Sequence, residues 1–398
     1  MRRLAYISAD PGVPVFGRKG ASVHVQEVIR ALRRQGVDVI LFTASLGGEA
    51  PADLSDLHVI LLPDVAGADS AQRERNALGQ NPVLARLLEE HGPFDALYER
   101  HSLWSFAGLE WARCGGVPAL LEVNAPLLLE QAKYRSLHDA DSARDAVARA
   151  YAAADAILAV SEQVADHLRS FDDGLANKIH IVPNGVDPSK FFRDREPRDT
   201  PFTIGFVGTL KPWHGVDLLL RAFARVHGAH SDVRLLIVGD GPERETLESM
   251  VRDLGLHSAV EFTGAVDPAD VPQHLARMDV AVAPYPDLSD FYFSPLKMYE
   301  YMAAECAIVA SAIGQITDVL EDGENALLYP PGDIDALAQA IERLRGDAPL
   351  RRRLTAAARH AVLESHTWDA VAQRILELVD DASRRSQSRE ARKLRMVH

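Results

Sequence analysis

A short segment at residues 294–304 carries the side chains with the clearest chemical potential in this chain. Ser294 and Pro295 are typical of a helix start, as N-cap and first helical residue. The N–H groups exposed at such a start favour an anion, and Lys297 adds a positive charge beside them. Glu300, about one turn further on, would repel a phosphate but suits the paired hydroxyls of a ribose. The segment therefore predicts a site for a nucleoside diphosphate.

The flanking sequence places this helix in a parallel sheet. Residues 279–285 form an apolar strand that ends in a loop, and residues 307–311 form another strand. Ligands in open α/β sheets bind beyond the carboxyl ends of the strands, which is where this helix would begin. Strand and helix patterns alternate along the rest of the chain, with one long helix predicted over residues 128–154. The alternation predicts an α/β protein built on parallel sheets.

The segment resembles the donor-binding motif of the family 4 retaining glycosyltransferases. Their fold is GT-B, in which two Rossmann-like parallel-sheet domains face each other across a cleft. Two Glu residues define the motif; Glu300 matches the second, and Tyr292 stands where the first belongs. The Gly that follows the helix in the family falls on Glu305. The resemblance implies transfer of a sugar from a UDP- or GDP-sugar to a hydroxyl of a small molecule or glycan, with retained configuration and without a metal or other cofactor.

Three further segments match the family in the same order along the chain, namely the hinge at 184–187, a loop–strand–loop at 323–333, and a helix opening at 366–369 that crosses back to the first domain. The predicted linker is the charged, proline-containing stretch at 193–201. The predicted organisation is an acceptor-side domain at 1–192, a donor domain at 193–365, the crossing helix at 366–382, and a basic tail without fixed structure at 383–398.

The resemblance implies a second donor-side loop at residues 208–215. The family has an Arg and a Lys there; Thr209 and His214 occupy those positions, and Lys211 lies between them. Lys211 and Lys297 are predicted to stabilise the charge that grows on the departing diphosphate. With His101 they form the predicted catalytic set. The residues predicted to bind the donor are Gly208, Thr209, His214, Gly239, Val266, Tyr292, Ser294, Pro295, Leu296 and Glu300.

The predicted acceptor side lies in the first half of the chain. Between the first strand and helix, glycines let backbone N–H groups approach a ligand and two cations favour a phosphate; the residues are Gly17, Arg18, Lys19 and Gly20. The resemblance places this loop near the acceptor. His101 follows a strand and matches a family His that touches the transferred sugar, with a structural His as the alternative. His24, Glu122, Asn124 and Glu130 are further acceptor-side candidates, with a capped loop as the alternative for the last three.

Composition limits the partners. A formal net charge of −14 argues against nucleic acid and against strong association with anionic membranes. The two cysteines, Cys114 and Cys306, lie far apart, which argues against a disulfide framework and for the cytoplasm. No apolar run approaches the roughly 20 residues of a membrane span, and the chain enters a strand near residue 4, so no signal peptide is expected. A nucleotide-diphosphate sugar and a small acceptor are the predicted partners, and homo-oligomerisation stays open.

Two other functions remain open. A nucleotide-sugar 2-epimerase of the same fold would use the donor site without an acceptor. A donor-binding subunit without turnover is suggested by the residues that differ from the family, Thr209, His214, Tyr292 and Glu305. The pair Asp333 and Asp335 has the Asp-x-Asp spacing that binds a metal in the other large glycosyltransferase fold, but its position before an apolar-periodic helix predicts a helix cap instead.

Overall fold

The computed structural model describes residues 1–191 and 201–396, which form two compact units. Unit 1 comprises residues 1–183 and the helix that begins at Trp368, and unit 2 comprises Asn184–Thr367. The division falls before the predicted boundary at 192 because the residues after Pro183 bond within unit 2. For example, the Val186 N–H donates to the His366 carbonyl at 2.9 Å. The predicted linker, apart from Pro201, lies outside the described residues.

Unit 1 is built on a seven-stranded sheet in the order β3-β2-β1-β4-β5-β6-β7, with every pair parallel. Its strands are β1 Arg2–Ser8, β2 Val37–Thr43, β3 His58–Leu61, β4 Ala96–Arg100, β5 Ala119–Val123, β6 Ala156–Ala159 and β7 Ile179–Ile181. Its helices are α1 Gly20–Arg34, α2 Ser70–Leu78, α3 Asn81–His91, α4 Ala107–Gly115, α5 Leu127–Tyr134, α6 Ala140–Ala153 and α7 Glu162–Phe171, with 3₁₀ turns at Ala52–Leu54 and Asp173–Lys178. The central strands are buried on both faces, as expected of a parallel sheet covered by helices.

The single long helix predicted over 128–154 is wrong, because the chain breaks into α5 and α6. Asp139 caps α6 by accepting from the Ser142 N–H at 3.0 Å. The buried carboxylate of Glu74, in α2, accepts from the backbone N–H groups of His138 and Asp139 at 3.0–3.1 Å. These bonds to N–H groups hold the backbone in a non-helical turn that the helical period of the sequence does not reveal.

Unit 2 is built on a six-stranded parallel sheet in the order β10-β9-β8-β11-β12-β13. Its strands are β8 Thr203–Val207, β9 Arg234–Val238, β10 Val260–Phe262, β11 Val280–Ala283, β12 Ala307–Ser311 and β13 Leu327–Tyr329. Its helices are α8 Val216–Ala229, α9 Arg244–Asp253, α10 Val271–Ala276, α11 Leu296–Ala303, α12 Ile316–Val319, α13 Ile334–Gly346 and α14 Ala348–Ser365, with 3₁₀ turns at Pro188–Lys190 and Pro212–His214. Asp333 caps α13 by accepting from the Ala336 N–H at 2.9 Å, which confirms the predicted cap.

The last helix, α15 (Trp368–Met396), packs on α1 of unit 1. The Trp368 ring meets the His24 ring edge-on at 5.1 Å, and Arg34 pairs with Asp369 at 2.7 Å. The helix passes through the basic segment that was expected to be unstructured, where Ser383 and Arg384 make bonds one turn back to Val379 and Asp381. That segment contains neither Gly nor Pro before residue 396, so nothing in it interrupts the helix.

In each sheet, the side on which successive strands are added changes at one place. In unit 1 the reversal lies between β1 and β4, and in unit 2 between β8 and β11. The connections that follow these strands leave on opposite sides, which opens a crevice beyond their carboxyl ends. These two crevices are where ligands are expected.

Candidate functional site

In unit 2, two glycines shape the backbone at the reversal point. Gly208 follows β8 with φ of 149°, and Gly239 follows β9 with φ of 130°. A Cβ on Gly239 would lie 2.0 Å from the Gly208 carbonyl oxygen, so the two loops approach this closely only because Gly239 lacks a side chain. The Gly208 N–H donates to the Val238 carbonyl at 2.9 Å. The predicted donor residues Gly208 and Gly239 therefore lie against each other. The surface that they form at the reversal point consists of backbone atoms.

Lys297 places a buried ammonium beside Gly208. Its side chain is 9% exposed, and its Nζ has no hydrogen-bond partner among the described residues. The Nζ lies 4.2 Å from the centroid of the Phe206 ring, and a Cβ on Gly208 would come within 2.7 Å of it. Burial lowers the pKa of Lys297 to about 7, against an opposing effect of the Glu300 carboxylate. A buried cation without a partner is costly, so an anion bound beside Lys297 would stabilise its charged form.

The loop after Gly208 is closed by His214, whose Nδ1 is hydrogen-bonded to the Thr209 carbonyl. Burial, followed by the charge of Lys297, lowers the pKa of His214 to about 3, so the ring is neutral. His214 therefore cannot supply the positive charge that the family's Lys carries at this position. Lys211 is half-buried, with its Nζ 5.5 Å from the Trp213 ring centroid. Lys211 and Lys297 are thus the two cations of the predicted donor set.

The start of α11 differs from the prediction by one residue. Leu296 is the first helical residue, and Pro295 occupies the N-cap with ψ of 112° and no side-chain cap bond. Ser294 does not cap the helix because it is held by the hinge residue Asn184. The Asn184 N–H donates to Ser294 Oγ at 3.4 Å, and Asn184 Nδ2 donates to the Ser294 carbonyl at 2.8 Å. The first N–H groups of α11 consequently have no side-chain cap.

The other predicted donor residues lie around α11. Glu300 is half-buried, one turn inside the helix and close enough to Lys297 to raise its pKa. Tyr292 is half-buried, with its ring 4.5 Å from that of Phe293. Val266 is half-buried and packs on the apolar cluster beneath α11. The structure thus places Glu300 and Lys297 together, with Tyr292 at the position of the missing carboxylate.

The C-terminus of α11 keeps the geometry that a Gly would give. Glu305 has φ of 55°, a left-handed conformation that is uncommon for a non-Gly residue. The Cys306 N–H donates to the Tyr301 carbonyl at 3.1 Å, and the Glu305 N–H to the Met302 carbonyl at 3.3 Å. These two bonds form a Schellman motif. The Glu in place of the family's Gly therefore leaves the helix end intact.

Unit 1 contains a cavity of about 740 Å³ at its own reversal point. Residues 9–13, after β1, and residues 101–105, after β4, form its floor, and α2 and α3 contribute one wall. Of the residues predicted for the acceptor side and catalysis, His101, Asn124 and Glu130 line it. The cavity is therefore the place in unit 1 that combines a crevice with predicted site residues.

His101 presents unsatisfied polar atoms to this cavity. The residue is 6% exposed, and neither ring nitrogen has a hydrogen-bond partner among the described residues. Burial lowers the pKa of His101 to about 4, so the ring is neutral and offers one donor and one acceptor. The Nδ2 of Asn124 is likewise buried without a partner in the described chain. Buried polar groups usually have hydrogen-bond partners, so these nitrogens are candidates for contact with a polar ligand.

Two predicted acceptor-side residues bond to each other instead of lining the cavity. His24 Nε2 lies 2.5 Å from Glu122 Oε1, and Arg100 Nη1 lies 3.4 Å from Glu122 Oε2. Burial would raise the pKa of Glu122, but His24 and then Arg100 outweigh it and hold that pKa at about 2. The Glu122 carbonyl also accepts from the His101 N–H at 2.8 Å. Through the bond to His101, the pair of His24 and Glu122 supports the residues of the cavity floor.

The glycine-rich loop leads directly into α1, which begins at Gly20. Gln26 Nε2 donates to the Val15 and Gly17 carbonyls at 2.8 and 3.1 Å, which ties the loop to the helix. Arg18 and Lys19 are exposed, and Lys19 is the N-cap without a side-chain bond. None of the four predicted loop residues lines the cavity; Ala21, next to them, does.

The sequence analysis missed α2 and α3 and the residues that shape the cavity from them. Asn81 Oδ1 accepts from the Phe106 and Ala107 N–H groups at 3.0 Å, and its Nδ2 donates to the Trp104 carbonyl at 2.8 Å. Asn81 therefore fixes the turn that carries His101. The available signal was Asn81 followed by Pro82, a helix-start pair.

Solved structures with a similar fold are glycosyltransferases and related enzymes. HepE from Anabaena, solved in complex with UDP and glucose, matches with a TM-score of 0.74 over 96% of this chain and 100% of that chain, at 20% identity. Sucrose-phosphate synthase from Thermosynechococcus elongatus matches with a TM-score of 0.72 over 96% and 99% of the two chains, at 21% identity. The fold of this protein is GT-B.

The sequence matches define the family. The sequence model for Glycosyltransferase Family 4 matches residues 18–190, and that for Glycosyl transferases group 1 matches residues 201–347. The D-inositol 3-phosphate glycosyltransferase of Stackebrandtia nassauensis is 28% identical over 96% of this chain and 92% of its own. An exopolysaccharide phosphotransferase of Streptomyces coelicolor is 33% identical over 50% of this chain, and there the match spans only 20% of the relative's length. The chain belongs to the family 4 glycosyltransferases.

The described residues lack two features that would bear on function. Within 1–191 and 201–396, no helix is long and apolar enough to cross a membrane. In the same part of the chain, no group of three or more His, Cys, Asp or Glu side chains is arranged to hold a metal ion.

Proposed function

We propose that this glycosyltransferase moves a sugar from a nucleoside-diphosphate donor, bound by unit 2, to a hydroxyl of a small molecule or glycan bound in the unit 1 cavity. The observation that carries the proposal is the buried, unpartnered ammonium of Lys297 beside Gly208 and the uncapped start of α11. A diphosphate would fill this position and neutralise the charge. Glu300, one turn inside the same helix, would accept hydrogen bonds from the ribose hydroxyls.

The chemistry proposed is transfer with retained anomeric configuration. The bond from the sugar's anomeric carbon to the diphosphate oxygen breaks, and its electron pair stays on the diphosphate. The acceptor oxygen bonds to the anomeric carbon on the same face, and its proton passes to the departing diphosphate. Lys297, Lys211 and the first N–H groups of α11 stabilise the charge that develops on that leaving group. Retention rests on the family resemblance, and the configuration of the product's anomeric proton by NMR tests it.

Removal of divalent metal is expected to leave the rate of transfer unchanged. The proposed reason is that Lys211 and Lys297 would balance the charge of the leaving diphosphate, which a metal ion would otherwise do. The measurement is transfer in the presence of excess EDTA, with a metal-dependent glycosyltransferase run alongside to show that the chelator works. Loss of activity that magnesium or manganese restores would reject the metal-independent proposal.

Glu300→Gln is expected to weaken binding of UDP or GDP by roughly 10- to 100-fold, since a charge-assisted hydrogen bond of about 1.5–3 kcal/mol to the ribose is lost. Calorimetric titration of the purified variant measures this effect. Glu305→Gln is the matched control, because it changes a carboxylate just beyond the C-terminal end of the same helix. Equal affinities in wild type and Glu300→Gln would remove Glu300 from the donor site.

Incubation of donor without acceptor separates transfer from epimerisation. A transferase is expected to leave the nucleotide sugar unchanged apart from slow hydrolysis. An epimerised nucleotide sugar in the absence of acceptor would favour the isomerase instead.

A further inference from the structure

Glu99 is a buried carboxyl that the proposed reaction does not use. It lies in β4, two residues before His101, and is 0% exposed. Its Oε1 accepts from the Ser105 hydroxyl at 2.5 Å, while its Oε2 has no hydrogen-bond partner among the described residues. Burial raises the pKa of Glu99 to about 7, against an opposing effect of the Ser105 bond. Burial of a carboxyl with one unpartnered oxygen is costly, which indicates a function for Glu99.

The space around Glu99 is built for it. A Cβ on Gly108, in α4, would lie 2.8 Å from Glu99 Oε2 and 2.4 Å from the Ile7 side chain. Any larger residue at 108 would collide with the carboxyl. The nearby groups at this gap are Ile7 from β1 and Leu84 from α3, which do not titrate. The bond to Ser105 is therefore the one polar anchor that the described structure provides for this carboxyl.

Ser105 connects Glu99 to the cavity. It belongs to the turn at 101–105 that lines the cavity, and its N–H donates to the Ser102 carbonyl at 3.0 Å, which folds the turn back over β4. Because the Ser105 hydroxyl hydrogen is directed at Glu99, the oxygen has only its lone pairs left to offer. Ser105 is thereby fixed as a hydrogen-bond acceptor at the edge of the cavity.

We propose that Glu99 is a positioning residue that orients Ser105, so that the Ser105 oxygen accepts a hydrogen bond from a hydroxyl of a polyhydroxylated acceptor bound in the unit 1 cavity. His101 and Asn124 contribute complementary groups, since their unsatisfied nitrogens line the same cavity. The inference rests on the proposed function, because it assigns the acceptor to this cavity. It adds the direction of one hydrogen bond, in which Ser105 is the acceptor, and it names Glu99 as the residue that orients Ser105.

The test is binding of two polyol probes, methyl α-D-glucopyranoside and myo-inositol, measured by ligand-observed NMR titration at pH 8. Ser105→Ala and Glu99→Leu are each expected to weaken binding of whichever probe the wild type binds by about 3- to 10-fold, the loss of one hydrogen bond. The double variant should be no weaker than the singles, because the two residues act as a unit. Glu99→Gln, whose amide oxygen still accepts from Ser105, should bind within about 2-fold of wild type.

Ser170→Ala is the matched control, because its hydroxyl bonds to the Asp166 carbonyl in α7 and does not line the cavity. It should bind the probes as the wild type does. Wild-type affinity in Ser105→Ala, additive losses in the double variant, or no binding of either probe to the wild type would overturn the inference. UDP and GDP binding is measured on the same samples. If nucleotide binding persists while the polyol result fails, only this inference is lost; loss of both would reject the proposed function.

Discussion

Lys297→Met lowers the turnover number about 100- to 1,000-fold and at the same time makes the ligand-free protein more stable. The first effect is expected because the ammonium acts on charge that develops in the transition state, where removal of one stabilising group has costs of that size. The second is expected because a buried, unpartnered ammonium opposes folding. Met fills a similar volume without a charge, so the variant separates charge from packing.

The stability gain of Lys297→Met has a defined pH dependence. The pKa of Lys297 falls from 10.5 in the unfolded chain to about 7 in the fold, so the unfolded state binds this proton more tightly. Wild-type stability is therefore reduced most below pH 7, and the penalty fades as the pH rises toward 10.5. The variant should gain on the order of a few kcal/mol in unfolding free energy at pH 7 and much less at pH 10. Urea unfolding at the two pH values measures the gain.

Lys211→Ala is the comparison for Lys297→Met. Lys211 is only half-buried, beside Trp213, so its loss should reduce turnover by a smaller factor and leave the stability nearly unchanged.

Binding of UDP at pH 8 should also take up protons in the wild type and less so in Lys297→Met, because the diphosphate draws the lysine back to its charged form. A Lys297→Met enzyme with wild-type turnover would remove this lysine from the mechanism.

Glu99→Gln is expected to raise the unfolding free energy relative to wild type, by an amount that grows by about 3 kcal/mol between pH 4.5 and pH 7. The pKa of Glu99 is raised from 4.5 in the unfolded chain to about 7 in the fold by burial. Between these values the unfolded chain releases the proton and the folded chain keeps it, so wild-type stability falls as the pH rises. Gln has no proton to lose, and the difference between the two proteins levels off above pH 7.

Glu122→Gln is the matched control for this pH series. The pKa of Glu122 stays low, at about 2, because His24 and Arg100 outweigh the effect of burial. Glu122 itself is therefore ionised above pH 4.5, and Glu122→Gln should lack the steady rise between pH 4.5 and pH 7 that Glu99→Gln shows; its difference from wild type changes only where its partner His24 loses its proton. Denaturant titrations across that range measure both series. A constant difference for Glu99→Gln as well would show that Glu99 ionises in the fold as it does in solvent.

The sequence alone was sufficient for the fold class, and it places several of the residues predicted for the donor side on one short helix and the loop before it. Apolar runs such as residues 4–7 and 280–283 predict buried parallel strands. Helices cover both faces of such strands, so nearly every residue in them must be apolar. The helix start near Ser294, with Lys297 and Glu300 at fixed spacing on one short helix, is local in sequence. Helical geometry then brings those side chains together whatever surrounds them.

The tertiary structure decided which polar residues are buried and what they meet. Nothing local distinguishes Glu99 from Glu122, yet within the described chain the first carboxyl accepts a hydrogen bond from Ser105 and the second pairs with His24 and Arg100. Ser294 has the sequence of a cap, but a distant residue, Asn184, binds it instead. The cavity arises where loops after β1 and β4 meet α2 and α3, elements far apart in the chain. Burial and pairing depend on such distant contacts, so residue spacing predicts the helix and strand but not the state of charge of the side chains they carry.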